Sequence, residues 1–215
     1  MKIETIIKNN RLIGILRNVD NNILPYYIEA IIKGGIHAVE IAMNTPDGAE
    51  QIARTKSQFG SDILIGAGTA ITPERINEAY DAGATFFLTP SATEDILRYF
   101  HQRNLAVLPG VFSPSDVEIC LKYGMRTLKL FPAADLPLSY IKSMKGPFSN
   151  TDYVAVGGVN LNNLAGFFNS GFIGAGIASS LIPEHYVQEK DWKGAANHVR
   201  LFSKIAEESI KRSLE

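Results

Sequence analysis

Eight short apolar runs recur along this chain every twenty-odd residues, and the segments between them are polar and helix-like. The runs are "LIGILR" (12–17), "AVEIAMN" (38–44), "ILIGAGTA" (63–70), "FFLTPSA" (86–92), "AVLPGVF" (106–112), "TLKLFPA" (127–133), "YVAVGGV" (153–159) and "FIGAGIASS" (172–180). They are apolar almost without alternation, which is the pattern of parallel strands covered on both faces. The segments between carry helix punctuation. Thr72 followed by Pro73 opens one helix and Ser113 followed by Pro114 opens another, while Gly35, Gly83, Gly124 and Gly171 stand where a helix must stop in a left-handed turn. Eight strand–helix units predict an α/β fold, a (β/α)8 TIM barrel, with residues 1–10 as a short extra N-terminal helix across its bottom. A doubly wound open sheet is the alternative, but no G-x-G-x-x-G follows the first run, as a dinucleotide fold would require. No linker or low-complexity stretch breaks the rhythm, so residues 1–215 read as one domain.

Bulk properties narrow the function. Hydrophobic residues make up 46% of the chain and charged ones 20%, enough to build a sizeable core. A net charge of −1 excludes a general nucleic-acid or membrane-surface binder, which needs a basic face, though not a local anion pocket. The one cysteine, Cys120, lies in the amphipathic stretch "VEICLKYG" and reads as a buried structural thiol. With no disulfide framework, no signal-like N-terminus and no apolar stretch of membrane-spanning length, a soluble, cytoplasmic protein is expected.

Two of the apolar runs contain a charge. In a barrel, alternate strand residues face the interior. Leu128 and Leu130 suit the helix layer, so Thr127, Lys129 and Phe131 face inward; Val39, Ile41 and Met43 likewise leave Ala38, Glu40, Ala42 and Asn44 inward. Lys129 and Glu40 then share one interior. A buried structural ion pair is one reading, but such pairs recover their desolvation cost only with very good geometry. Small neighbours (Ala38, Ala42, Ala67, Gly68) instead suggest a cavity around the charges. Burial lowers the pKa of a lysine, and a neutral amine attacks a ketone or aldehyde to form a Schiff base. Arg17 ends the first run, on the face where barrels place their active sites.

The other titratable groups carry less. His37, His101, His185 and His198 form no metal-ligand spacing and read as surface or capping residues. The last two runs end in glycine-rich turns, "AVGGVN" and "GAGIASS", placing Gly157, Gly158, Gly176 and Ser179 at the corner where barrels commonly hold phosphate. The plainer reading is that glycine allows tight strand ends. No lysine or arginine marks this corner, so an anion there would rest on backbone donors.

Taken in order, "AVEIAMNTP", "ILIGAGTAITPE", "FFLTPSAT", "VLPGVFSPSD", "TLKLFPA", "YVAVGGV" and "GIASSLIP" resemble the motifs of the 2-keto-3-deoxy-6-phosphogluconate aldolase family over roughly residues 12–183. That resemblance implies a class I pyruvate aldolase on a (β/α)8 barrel, usually a homotrimer, with no metal or other cofactor. It implies Lys129 as the Schiff-base lysine and Glu40 as the general acid/base. Thr69 and Pro90 would line the pyruvate part of the pocket, with Phe131 beside the Schiff base. Gly157, Gly158 and Ser179 would bind phosphate.

Three positions depart from the family pattern. Asn44 stands where phosphogluconate-cleaving members commonly carry arginine, Val156 replaces a threonine facing the substrate, and Ala178 replaces a glycine before the serine. The first two resemble the phosphogalactonate-cleaving branch, where Arg17 would take the substrate carboxylate. The expected reaction is reversible cleavage of a 2-dehydro-3-deoxy-6-phospho-sugar acid to pyruvate and D-glyceraldehyde 3-phosphate. Rival readings are a phosphate-binding barrel isomerase or synthase, a 4-hydroxy-2-oxoglutarate aldolase, and a barrel kept only as a ligand-binding scaffold.

Overall fold

The computed structural model describes residues 1–212 as parallel strands alternating with helices. The strands are β1 (Leu12–Leu16), β2 (Ala38–Ala42), β3 (Leu64–Gly68), β4 (Phe86–Leu88), β5 (Val107–Leu108), β6 (Gly110–Val111), β7 (Thr127–Leu130), β8 (Asp152–Val156) and β9 (Gly174–Ile177). Their order, β5-β4-β3-β2-β1-β9-β8-β7-β6, begins and ends on two halves of one extended segment. Pro109 separates the halves because it has no N–H to give to a ladder. Its carbonyl still accepts the Lys129 N–H at 2.8 Å, so the ring of eight strand positions closes through this residue. The nine strand segments are therefore the eight expected ones with the fifth interrupted. Several are shorter than their apolar runs; the fourth ends at Leu88.

The caps behave as their residue types dictate. The Thr72 side chain accepts the Arg75 N–H at the start of the helix Pro73–Asp81, and Ser113 and Asp116 form a reciprocal capping box before the helix Pro114–Lys122. Gly35, Gly83, Gly124 and Gly171 all have φ between 72° and 105°, as left-handed helix stops require.

Two apolar layers result. The outer one joins the strands to the helices and contains Leu128, Leu130, Val39, Ile41 and Met43, as parity predicts. The inner one fills the lower barrel with Ile13, Ile15, Phe86, Leu88, Leu108 and Val154. The helix α1 (Ile3–Asn9) plugs the bottom by adding Ile3, Ile6 and Ile7 to that layer. Ala67 differs from expectation. It belongs to the outer layer, one residue out of phase with the interior, so the room near Glu40 comes from the inward Gly68 beside it, while Gly66 makes room for the Phe86 ring. Cys120 is buried on its helix.

Candidate active site

Glu40 and Lys129 come from β2 and β7, far apart in the sheet order and brought together only by closure. Glu40 keeps 1% of its surface exposed and Lys129 5%. The side chain of Glu40 fits because Gly68 has none: a Cβ there would lie 1.5 Å from Glu40 Oε1. Lys129 is beside Gly110 in the neighbouring strand, and its Nζ lies 5.0 Å from the centre of the Phe131 ring. No ion pair within 4.0 Å joins Lys129 to Glu40; the ion pairs among the described residues, such as Lys33–Glu29 and Lys145–Asp152, are surface ones. Glu40 Oε2 is buried without a hydrogen-bond partner. Buried polar atoms are rarely left so. The structural ion pair is thus not formed, and a carboxyl oxygen is left free in the cavity that Lys129 also lines.

Burial pulls the Lys129 pKa below the usual lysine value, with Glu40 opposing and Arg17 adding to the shift. Burial pushes the Glu40 carboxyl upward, against the pull of the Lys129 and Arg17 charges. Desolvation is the larger influence on both, and it favours the neutral amine. Such a pair can supply a nucleophile and a proton carrier in one place.

Both groups open into a cavity of about 370 Å3 at the C-terminal face of the barrel. Arg17, Thr69, Pro90, Phe131, Val156, Gly157, Ala178 and Ser179 line it as well, so ten residues singled out in the sequence, counting Lys129 and Glu40, meet here. Thr69 has φ of 53°, an outlier for a β-branched residue and a mark of local strain held by the surrounding fold. Gly158 and Gly176 line an adjoining hollow of about 210 Å3, which shares Gly157 and Ser179 with the main cavity. Asn44 lies exposed in the turn after β2 and lines neither space.

The glycine corner has specific geometry. Gly157 has φ of 94° and a Cβ there would come within 3.0 Å of Pro132 Cα; Gly158 has φ of 71° and its Cβ would lie 2.5 Å from that of Ala134. Asn160 and Asn163 both donate to the Gly158 carbonyl, at 3.1 and 2.9 Å, and Ser180 Oγ donates to the Val159 carbonyl, tying the two loops together. Among the described residues the N–H groups of Gly158, Ser179 and Ser180 find no protein acceptor. Ala178 stays out of the left-handed region, so its methyl group brings no backbone strain.

Four lining residues escaped the sequence reading: Ile15, Asn18, Val19 and Tyr27. Ile15 follows from strand parity, and Asn18 and Val19 from their place just beyond a strand end. Tyr27 carries no such signal, because it sits on the apolar face of the helix α2 (Leu24–Lys33) and reads as core.

Comparison with known proteins gives this geometry its context. Residues 3–197 match the family model described as KDPG and KHG aldolase. The chain is 32% identical to the 2-dehydro-3-deoxy-phosphogluconate aldolase of Pseudomonas aeruginosa, covering 89% of this chain and 87% of that protein. It is 31% identical to the 2-dehydro-3-deoxy-6-phosphogalactonate aldolase of Escherichia coli, covering 89% and 94%. Among solved structures, the KDPG aldolase of Legionella pneumophila, with pyruvate captured as a covalent carbinolamine intermediate, superposes with a TM-score of 0.86 at 26% identity over 93% of this chain and 97% of that one. A native KDPGal structure superposes with a TM-score of 0.83 at 30% identity over 93% and 96%. A buried lysine and carboxylate at the mouth of a parallel barrel, matched over nearly the whole chain, place this protein in the KDPG and KHG aldolase family.

Proposed function

We propose that the protein is a class I aldolase that reversibly cleaves a 2-dehydro-3-deoxy-6-phospho-sugar acid, of gluco or galacto configuration, to pyruvate and D-glyceraldehyde 3-phosphate, with Lys129 as the Schiff-base nucleophile. The observation that carries this reading is the unpaired Lys129 at 5% exposure, sharing one cavity with a Glu40 whose Oε2 has no partner.

The neutral Lys129 amine attacks C2 of the keto acid, and Glu40, directly or through water, returns a proton to the departing hydroxyl so that water leaves and an iminium forms. Glu40 then accepts the proton of the C4 hydroxyl. The C3–C4 bonding electrons pass into the iminium, the aldehyde departs and an enamine remains. Protonation of the enamine at C3 by Glu40 and hydrolysis of the imine release pyruvate and restore the amine. Phe131 covers one side of the lysine, which keeps bulk water from the imine.

The remaining lining groups fit the two ends of the substrate. Arg17, whose charge is felt by both Glu40 and Lys129, suits the C1 carboxylate, to which a guanidinium can donate two parallel hydrogen bonds. Thr69 completes that end. The free N–H groups of Gly158, Ser179 and Ser180 suit a phosphate, and favour a phosphorylated substrate over 4-hydroxy-2-oxoglutarate. Relatives on the phosphogluconate and phosphogalactonate sides have nearly the same identity to this chain, 32% and 31%, so both epimers are carried forward.

Borohydride added with pyruvate should fix a reduced adduct on the peptide containing Lys129. Labelling elsewhere, or none, overturns the reading. Pyruvate release measured side by side on the two epimers then ranks them.

A further inference from the structure

The substrate just proposed has five polar groups: the C1 carboxylate, the C2 ketone, the C4 and C5 hydroxyls and the phosphate. Arg17 and Thr69, Lys129, Glu40 and the glycine corner account for four of them. The C5 hydroxyl has no partner in that assignment. Among the lining residues, the hydrogen-bonding side chains still unassigned are Asn18, Tyr27 and the hydroxyl of Ser179, which sits in the glycine corner beside the phosphate N–H groups. Asn18 is exposed at the mouth, where its N–H is held by Thr45 Oγ1 at 3.1 Å. Tyr27 is 8% exposed, and its phenol makes no hydrogen bond within the described protein.

Topology places Tyr27 on the right stretch of wall. The sheet order runs β2-β1-β9-β8 around this side of the barrel. C4 must lie at Glu40, on β2, and the phosphate at the loops after β8 and β9. The atom between them therefore passes over the end of β1 and the start of the helix that follows it. That helix is α2, which runs back down the barrel, so its N-terminal residues lie at the catalytic face. Tyr27, in its first turn, packs its ring into the outer core and borders the cavity. Arg17, also on this side, lines the same cavity and is already assigned to the C1 carboxylate. The neighbouring wall is apolar at Ile15, Val19 and Val156 and competes for no hydroxyl.

We propose that the Tyr27 hydroxyl binds the C5 hydroxyl of the substrate and thereby reads the configuration of the glyceraldehyde 3-phosphate half. This rests on the aldolase reading above. Burial pushes the Tyr27 phenol to about 12, so it remains a neutral O–H that both donates and accepts at working pH. A phenol without a protein partner is available to a ligand hydroxyl, and a site built to hydrogen-bond a hydroxyl discriminates strongly against one displaced from it.

The test is Tyr27→Phe, which removes the phenolic oxygen of this lining residue and keeps the packed ring. Aldol synthesis from pyruvate with D- and with L-glyceraldehyde 3-phosphate is compared in wild type and variant, alongside borohydride trapping of pyruvate alone. Wild type should prefer the D enantiomer, and Y27F should lose about tenfold in kcat/KM for D and at least fivefold in the D/L ratio. Pyruvate trapping should keep its wild-type rate, because pyruvate ends at C3. An unchanged D/L ratio in Y27F overturns the proposal, as does an equal loss of synthesis and of trapping, which would make Tyr27 a support of the lysine. No pyruvate adduct in the wild type would overturn the aldolase reading itself, and the role of Tyr27 with it.

Discussion

The two ends of this barrel are built from the same strands and obey opposite rules. At the bottom, α1 closes the interior with Ile3, Ile6 and Ile7 against Ile13, Phe86 and Val154, an apolar plug; among the described residues the buried charges are Glu40 and Lys129. At the top, inward positions of β2 and β7 carry Glu40 and Lys129, and the strained Thr69 follows the end of β3, around a cavity. The bottom contributes the burial that makes folding favourable. The top holds groups whose desolvation opposes it, and the first supports the second. The comparison explains why a lysine is tolerated inside a strand: the cost falls on an end that the rest of the barrel over-determines.

The largest expected effect comes from turning the top into more of the bottom. Lys129→Met should lower kcat by roughly 10⁴-fold or more, because no other amine is placed to form the imine. The same change should raise stability by about 0.5–2 kcal/mol, as read from denaturant midpoints, since an apolar chain suits that site better than an amine. The sign carries into pH. With the Lys129 pKa below its unfolded value, the unfolded chain binds the additional proton between the two values, so wild-type stability rises with pH through that window. Glu40 acts oppositely: its raised pKa makes the folded state bind the additional proton, and stability falls as pH rises from 4.5 toward the folded value. K129M should erase the first slope. A slope that persists in K129M would assign it to another group.

Next in size, Gly68→Ala aims a methyl group at the Glu40 carboxylate, whose Oε1 stands 1.5 Å from the new Cβ. We expect a loss of about 10²-fold in kcat/KM from the displaced carboxylate and about 1–3 kcal/mol of stability. Wild-type kinetics in G68A would mean that Glu40 does not need its observed position. At the bottom, Ile7→Ala should reverse the pattern, costing about 2–5 kcal/mol in denaturation while kcat per folded molecule stays within about twofold. A large fall in kcat there would end the separation of the two ends. Smallest is Ser113→Ala, which removes a helix cap that does not line the cavity and should cost about 1 kcal/mol by thermal unfolding with unchanged kinetics.

Much of this molecule is local and therefore legible. The strand–helix rhythm, the caps at Thr72 and Ser113 and the glycine stops follow from backbone sterics and hydrogen bonding within a few residues. Strand parity is equally local, and it aimed Glu40 and Lys129 inward correctly. It failed where phase was read loosely, at Ala67, which belongs to the helix layer. The interruption at Pro109 was present in the letters but was absorbed into one run, because a proline marks a break only once the neighbouring ladder is known.

By itself, then, the sequence determined an eightfold parallel barrel, an inward lysine and carboxylate, and a glycine-rich corner, because each depends on short-range periodicity or on residue type. Tertiary structure decided which of these meet. Closure brought β2 to face β7, the missing side chain of Gly68 decided where the Glu40 carboxylate rests, and the start of α2 beyond the end of β1 made a core tyrosine part of the cavity wall. These are contacts between residues remote in the chain, fixed by the packing of complete layers, and no local pattern encodes them.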